Sequence, residues 1–139
     1  MVTGSRDWTD RALLKRWLLT IVPPGAHTLV HGGARGADLI AASLTIDLGW
    51  SEEPHPAAWT APCERECPSG HRRLNGNMSG SSYCPDAGKR RNQEMVDSRP
   101  DLVIAFPTAR SVGTWDAVRR ARKAGIRVEV VNVREPVGS

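Results

Sequence analysis

The chain has 139 residues, a net charge of +4 and a pI near 9.4. That length suits one domain with its own hydrophobic core. With 40% hydrophobic and 24% charged residues the composition is globular, and no run approaches the roughly 18 apolar residues of a membrane span. The opening "MVTGSRDW" lacks a basic segment followed by an apolar one, so a cytoplasmic protein is expected. The mild positive charge favours anionic partners, nucleotides or nucleic acid among them, although a merely solvated basic surface has the same signature.

In chain order, residues 2–4, "VTG", read as a short buried strand. "SRDWTD" then turns into a helix with Thr9 as a candidate N-cap and Leu13, Leu14, Trp17, Leu18 and Ile21 as its apolar stripe. Pro23-Pro24-Gly25 ends it. "HTLVH" (27–31) is a second strand. A helix over 36–48 follows, with Ala37, Ile40, Ala41, Leu44 and Leu48 on one face and Gly49 as its C-cap. "SEEPHP" (51–56) is a weak edge strand because of its prolines. Residues 60–88 are polar, rich in Gly, Ser and Pro, and without a period. A loop this long is uncommon unless it is functional or held by something. A short helix (89–98), a buried strand "DLVIAFP" (101–107), a helix (114–125) stopped by Gly125, and a last strand (127–133) complete the chain, with the tail "REPVGS" frayed.

Strands alternating with helices predict an α/β fold: a doubly wound, mostly parallel, Rossmann-like sheet of about five strands. Ligands in such folds bind beyond the carboxyl ends of the strands. Three junctions there carry glycine and arginine: "TGSRDW", "HGGARGAD" and "FPTARSVGTWD". Glycines at helix starts let a phosphate reach backbone N–H groups, although tight turns alone also demand them. The expected ligand-binding residues are Gly4, Ser5, Arg6, Gly32, Gly33, Arg35, Gly36, Asp38, Arg91, Asn92, Pro107, Ser111, Gly113 and Thr114. Arg6, Arg35, Arg91 and Arg110 supply guanidinium groups of the kind that pair bidentately with phosphate.

The motifs "TGSRDW", "VHGGARGAD", "KRRNQEMV", "DLVIAFP" and "SVGTWDAVRRARKAGIRVEVV" together resemble the YspA and cpYpsA-related branch of the SLOG superfamily. That superfamily holds the Lonely Guy (LOG) phosphoribohydrolases and the DprA DNA-processing proteins, and similar chains occur in actinobacteria and their phages. The resemblance implies one nucleotide-binding domain over residues 1–139, a nucleotide or nucleotide-derived ligand, and a homodimer or larger homo-oligomer. LOG enzymes carry a Pro-Gly-Gly-x-Gly-Thr-x-x-Glu loop whose Glu helps cleave the N-glycosidic bond, assisted by an upstream Arg. Here Pro107, Gly113 and Thr114 match, Ser111-Val112 replace the doubled glycine, and no Glu follows. Asp116, one position early, is the nearest carboxylate, and Arg91 resembles the upstream Arg. Binding is therefore the first reading. The alternatives are a LOG-like hydrolase of nucleoside monophosphates using Arg91 and Asp116, and a DprA-like nucleic-acid binder.

All three cysteines fall in the 60–88 segment, in the order C-x3-C-x3-H-x12-C: Cys63, Cys67, His71 and Cys84. Three thiolates and one imidazole suit a closed, structural zinc site, and a metal explains how such a segment stays ordered. The expected cofactor is structural zinc in a lobe over 60–88. Arg65, Arg72, Arg73, Lys89, Arg90 and Arg91 surround it, as a lid over an anion or a contact to nucleic acid. His27, His31 and His55 read as ordinary strand-end residues. Of the five tryptophans, Trp17 reads as core, and Trp8, Trp59 and Trp115 lie near the expected ligand edge, where an indole can stack on a base or join the core.

Overall fold

In the computed structural model, residues 1–74 and 82–132 are described. The elements run β1 (Val2–Gly4), α1 (Arg11–Ile21), β2 (Thr28–His31), α2 (Ala37–Leu48), β3 (Ser51–Pro54), β4 (Arg73–Leu74), β5 (Ser82–Tyr83), α3 (Ala87–Asp97), β6 (Val103–Phe106), α4 (Val112–Lys123) and β7 (Val128–Val130). The fold is mixed α/β, with four helices and small, mostly parallel sheets. The tail beyond Asn132 lies outside the described residues.

The expected five-stranded sheet is not formed as one ladder. Five parallel strands are present, but they are hydrogen-bonded as β1-β6-β7 and, separately, as β2-β3. Strand β1 has only three residues, and all of them are registered on β6: Val2 opposite Ile104, Thr3 opposite Ala105, Gly4 opposite Phe106. It lies beside β2, but no ladder joins the two among the described residues.

Helices cover both faces. Successive strand side chains point to opposite sides, and the core sorts accordingly. Val2, Leu29, Ile104 and Phe106 join Leu14 and Leu18 of α1 and Ala41 and Leu44 of α2. Met1, Val30 and Val103 join Met95 and Val96 of α3 and Ala117 and Ala121 of α4. Strand β6, buried at every position, is the centre of the molecule.

Local chemistry sets the helix ends. Helix α1 is capped by Asp10, not Thr9: its carboxylate accepts the Leu13 N–H at 2.9 Å. A carboxylate there also complements the positive end of the helix dipole. Helix α2 stops at Gly49, whose φ of 70° and N–H bonds to the Thr45 and Ile46 carbonyls make a left-handed cap. Helix α4 begins at Val112, two residues before the expected start, so Asp116 sits beyond its first turn instead of within it. The 60–88 segment is not wholly irregular either: β4 and β5 pair antiparallel, Arg73 with Tyr83 and Leu74 with Ser82. None of the helices among the described residues is long and apolar enough to cross a membrane.

Candidate functional site

Two features stand out at the ends of the parallel strands: an arginine-walled cavity and, beside it, a cluster of metal-ligating side chains.

The cavity, about 410 Å³, is bounded by the turn after β1 (Gly4, Ser5, Arg6), the turn after β2 (Arg35, Asp38), α3 (Lys89, Arg91, Asn92) and the start of α4 (Arg110, Ser111, Gly113, Thr114, Asp116). The three junctions picked out in the sequence therefore converge. Gly32 and Gly33 border a second cavity of about 420 Å³, which shares Arg6, Arg35, Trp59 and Arg91 with the first. Neither Gly36 nor Pro107 lines either cavity.

The glycines of "HGGARGAD" are not all there to admit an anion. At Gly36, with φ 81°, a Cβ would collide with the Ser5 carbonyl and the Arg6 backbone. The neighbouring turn crosses there, fixed by an Ala37 N–H bond to the Ser5 carbonyl at 3.1 Å. A Cβ on Gly32 would collide with the Arg91 guanidinium, whose Nη1 donates to the Gly32 carbonyl at 2.6 Å. The amides of this turn are also used internally. Gly32 N–H donates to the Asp38 carboxylate at 2.9 Å, and Gly33 N–H to His31 Nδ1 at 3.0 Å. At this junction the Gly32 and Gly33 amides are thus taken by Asp38 and His31.

The start of α4 is different. No side chain caps it, and the N–H groups of Val112, Gly113 and Thr114 find no partner among the described residues. These are the orphan donors of a helix N-terminus, and all three residues face the first cavity. The Ser111 hydroxyl is turned away to accept the Thr108 N–H at 2.7 Å, and Thr108 in turn donates to Ser5 Oγ at 2.7 Å, tying the β1 and β6 turns together.

The charges on the walls are unequal. Asp38 is buried, and burial raises its pKa despite the Gly32 N–H and the Arg91 charge. For Asp116, partial burial opposes ionisation. Hydrogen bonds from Arg120 (2.9 Å) and Asn92 (3.0 Å), with the Arg120 and Arg119 charges, outweigh it and hold the pKa below its ordinary value. Both carboxylates thus already have protein partners. Arg6, Arg35 and Arg110 have no hydrogen-bond or ion-pair partner among the described residues. Burial lowers the Arg91 pKa, and the nearby Arg6 charge lowers it further against the opposing pull of Asp38.

The tryptophans divide. Trp8 is in the core, edge-on to Phe106 at 5.3 Å, with its indole N–H on the Asp10 carbonyl. Trp17 packs partly buried against the same core. Trp115 lines neither cavity. Trp59 lines both, with the Arg6 guanidinium 5.7 Å from its ring centroid and the ring packed against Gly88 at the start of α3.

The expected metal ligands also converge. The donor atoms of Cys63, Cys67, His71 and Cys84 all lie within 4.8 Å of one another. Cys67 and Cys84 sulfurs are 3.8 Å apart, and His71 Nε2 is 2.9 Å from Cys63 Sγ and 3.5 Å from Cys84 Sγ. A tetrahedral metal with bonds to sulfur of about 2.3 Å has sulfur–sulfur edges of about 3.8 Å, so the set is already near ligating geometry. Supporting groups surround it. Arg90 donates to Cys67 at 3.3 Å and to Cys84 at 3.4 Å, Arg72 to Cys63 at 3.6 Å, and Asp86 lies 3.6 Å from His71 Nδ1. A carboxylate behind a ligating imidazole fixes its tautomer. Burial works against the Cys84 thiolate, but the Arg90 hydrogen bonds win and bring its pKa to about 6. Burial and the neighbouring Cys84 push Cys67 up. Arg72 and Arg90 are thus turned inward onto sulfur and do not form the lid the sequence suggests.

The lobe is wired to the cavity. Cys84 N–H donates to the Trp59 carbonyl at 2.8 Å, and Tyr83 meets the Trp59 ring edge-on at 5.9 Å. The sequence offers Trp8, Trp59 and Trp115 alike near the ligand edge; of the three, Trp59 lines both cavities, and Cys84 holds its carbonyl.

A 36% identical relative, the "Gene 61 protein" of Mycobacterium phage D29, aligns over 135 residues, 92% of this chain and 91% of its own length. The family model for YspA, cpYpsA-related SLOG proteins matches residues 1–61. The chain belongs to the YspA, cpYpsA-related SLOG family. The matched stretch holds β1 to β3 and ends just past Trp59, so it covers two of the three cavity turns and stops before the first cysteine. The phage relative extends the likeness over nearly the whole chain. No solved structure matches.

Proposed function

We propose that this SLOG domain binds an anionic nucleotide, or a nucleotide-derived molecule, in the cavity at the strand ends. One observation carries the reading: Arg6, Arg35 and Arg110, which have no hydrogen-bond or ion-pair partner among the described residues, converge on a concave site that also holds the open N-terminus of α4. Like charges gathered this way repel one another, and a bound phosphoryl group relieves the repulsion while filling the orphan amides. Trp59 offers a flat face for a base.

Binding fits better than hydrolysis. The Asp116 carboxylate is held by Asn92, Arg120 and Arg119, so it serves to brace α3 against α4. A stabiliser of a developing sugar cation needs a free carboxylate edge in register with the substrate. Isothermal calorimetry with adenosine 5′-monophosphate tests the reading. Affinity should fall at least about tenfold in Arg110→Ala, from loss of a charge-assisted contact worth about 1.5–3 kcal/mol. It should not change in Arg122→Ala, in the exposed last turn of α4. No heat of binding up to millimolar ligand rejects the proposal, and release of free adenine would restore the hydrolase reading.

We further propose that the Cys63, Cys67, His71 and Cys84 set holds zinc. Three sulfurs and one imidazole nitrogen complete a tetrahedron, with no open position for substrate. When bound, the metal supplies cross-linking of the 63–84 segment. This chain's own residues then hold Trp59 and the start of α3 against the cavity.

A further inference from the structure

The outer face of α4 plays no part in the cavity. Trp115 lines neither cavity, yet it is 39% exposed, and Val112, one turn earlier, is 81% exposed. Residues 107–125 hold five cations, Arg110, Arg119, Arg120, Arg122 and Lys123, against one carboxylate, Asp116. That balance equals the +4 of the whole chain, so the net positive charge is gathered on α4 and the turn before it. The carboxylate does not neutralise the outer face. Asp116 turns toward α3, bonded to Asn92 and Arg120. Arg119 reaches it only at 3.8 Å and keeps 68% of its side chain in solvent, where such a pair is weak. Arg122 and Lys123 are exposed, with no hydrogen-bond or ion-pair partner among the described residues. Trp115, Arg119 and Arg122 are spaced i, i+4 and i+7, so they share one side of the helix and span about 10 Å of its axis. An accessible indole therefore stands at one end of a row of solvent-facing cations, while Ala117, Val118 and Ala121 anchor the other side of the helix.

We infer that this face of α4 binds single-stranded nucleic acid, with one base stacked on Trp115 and the adjoining phosphates on Arg119 and Arg122. The surface is separate from the nucleotide cavity, and the inference does not rest on the proposal made for that cavity. An aromatic ring beside cations matches the alternation of base and phosphate along a single strand. A duplex supplies the phosphates but keeps its bases stacked inside, where Trp115 meets no base face. An acidic peptide supplies the charge but nothing flat for the indole. A lipid surface needs an apolar stripe along the helix, and here the exposed apolar side chains stop at Val112 and Trp115.

The test is fluorescence anisotropy of a 3′-labelled oligothymidylate 12-mer titrated with the intact chain at several salt concentrations. Trp115→Ala should weaken binding at least about fivefold, from loss of one base–aromatic stack, and Trp115→Phe should retain most of the affinity. Replacing Arg119 and Arg122 together by Ala should lower the slope of log affinity against log salt by about 1.4, about 0.7 for each phosphate contact on a single strand. Melting curves of these variants should match the parent, because the changed side chains face solvent. Saturating adenosine 5′-monophosphate should leave the oligonucleotide affinity unchanged, so failure of either proposal leaves the other standing. No binding at low salt overturns the inference, as does Trp115→Ala binding as tightly as the parent. A duplex of the same length, or an oligoglutamate of the same charge, binding as tightly as the single strand also overturns it. Displacement of the oligonucleotide by the monophosphate would place the strand in the cavity and overturn the assignment to α4.

Discussion

Removing the metal should unfasten the lobe from the cavity, and the size of the effect follows from the geometry. Cys84 is fully buried and is the hub of the set: its sulfur meets Cys67 and His71, and its N–H holds the Trp59 carbonyl. A ligand present at about a thousand times its Kd stabilises the folded state by about 4 kcal/mol. For a chain of this length each kcal/mol moves the melting temperature by about 2–4 °C. A strong chelator should therefore lower the Tm by about 10–15 °C. Cys84→Ser should melt near the chelated parent and respond little to chelator, because the two perturbations remove the same cross-link. Differential scanning calorimetry with parallel metal analysis reads both. The reasoning fails if the purified chain carries no stoichiometric metal and chelation leaves its melting curve unmoved, or if chelator destabilises Cys84→Ser as much as the parent.

Two glycines predict opposite outcomes. Gly36→Ala places a methyl group against the Ser5 carbonyl at a left-handed φ, and should cost about 2–4 kcal/mol in chemical denaturation. Gly113→Ala has open space around the new methyl group and should leave stability unchanged or raise it by up to about 1 kcal/mol. A tolerated Gly36→Ala would show that the Ser5 turn does not cross there. Asp116→Asn removes the anion that Arg120 and Asn92 share, and should cost about 1–3 kcal/mol at pH 7. The folded-state pKa of Asp116 lies below its ordinary 3.8, so its contribution is complete above about pH 4 to 5 and is lost as pH falls through and below 3.8. The stability gap between parent and variant should close over that acid range. A gap that instead widens on acidification contradicts the assigned direction.

Much of this was legible because it is local. "DLVIAFP" is a strand because its apolar residues run unbroken into a turn signal, and β6 is buried at all positions as such a run implies; "VTG" and "HTLVH" are short stretches that run into glycine turns. Gly49 and Gly125 stop helices by the left-handed conformation that glycine tolerates. The Cys/His set converges as its composition suggests. What the sequence left open or misassigned depends on distant approach. "HGGARGAD" looks like a phosphate loop, but Gly32 makes way for Arg91, 59 residues on, and Gly36 for Ser5. Asp10 displaces Thr9 as the cap, although both residues suit the position and only the backbone entry angle separates them. Trp8 looked as available to a ligand as Trp59, but the turn after β1 folds it onto Phe106. The division of the strands into two ladders depends on how a three-residue β1 is shared, which periodicity does not encode.

A crystal structure of the chain soaked with adenosine 5′-monophosphate tests the central claim most directly. The account predicts electron density for a phosphoryl group within hydrogen-bond reach of the Gly113 and Thr114 amides and of at least one of Arg6, Arg35 and Arg110, with Trp59 beside the ligand. A nucleotide bound on any other surface, with those arginines left in solvent, would contradict it.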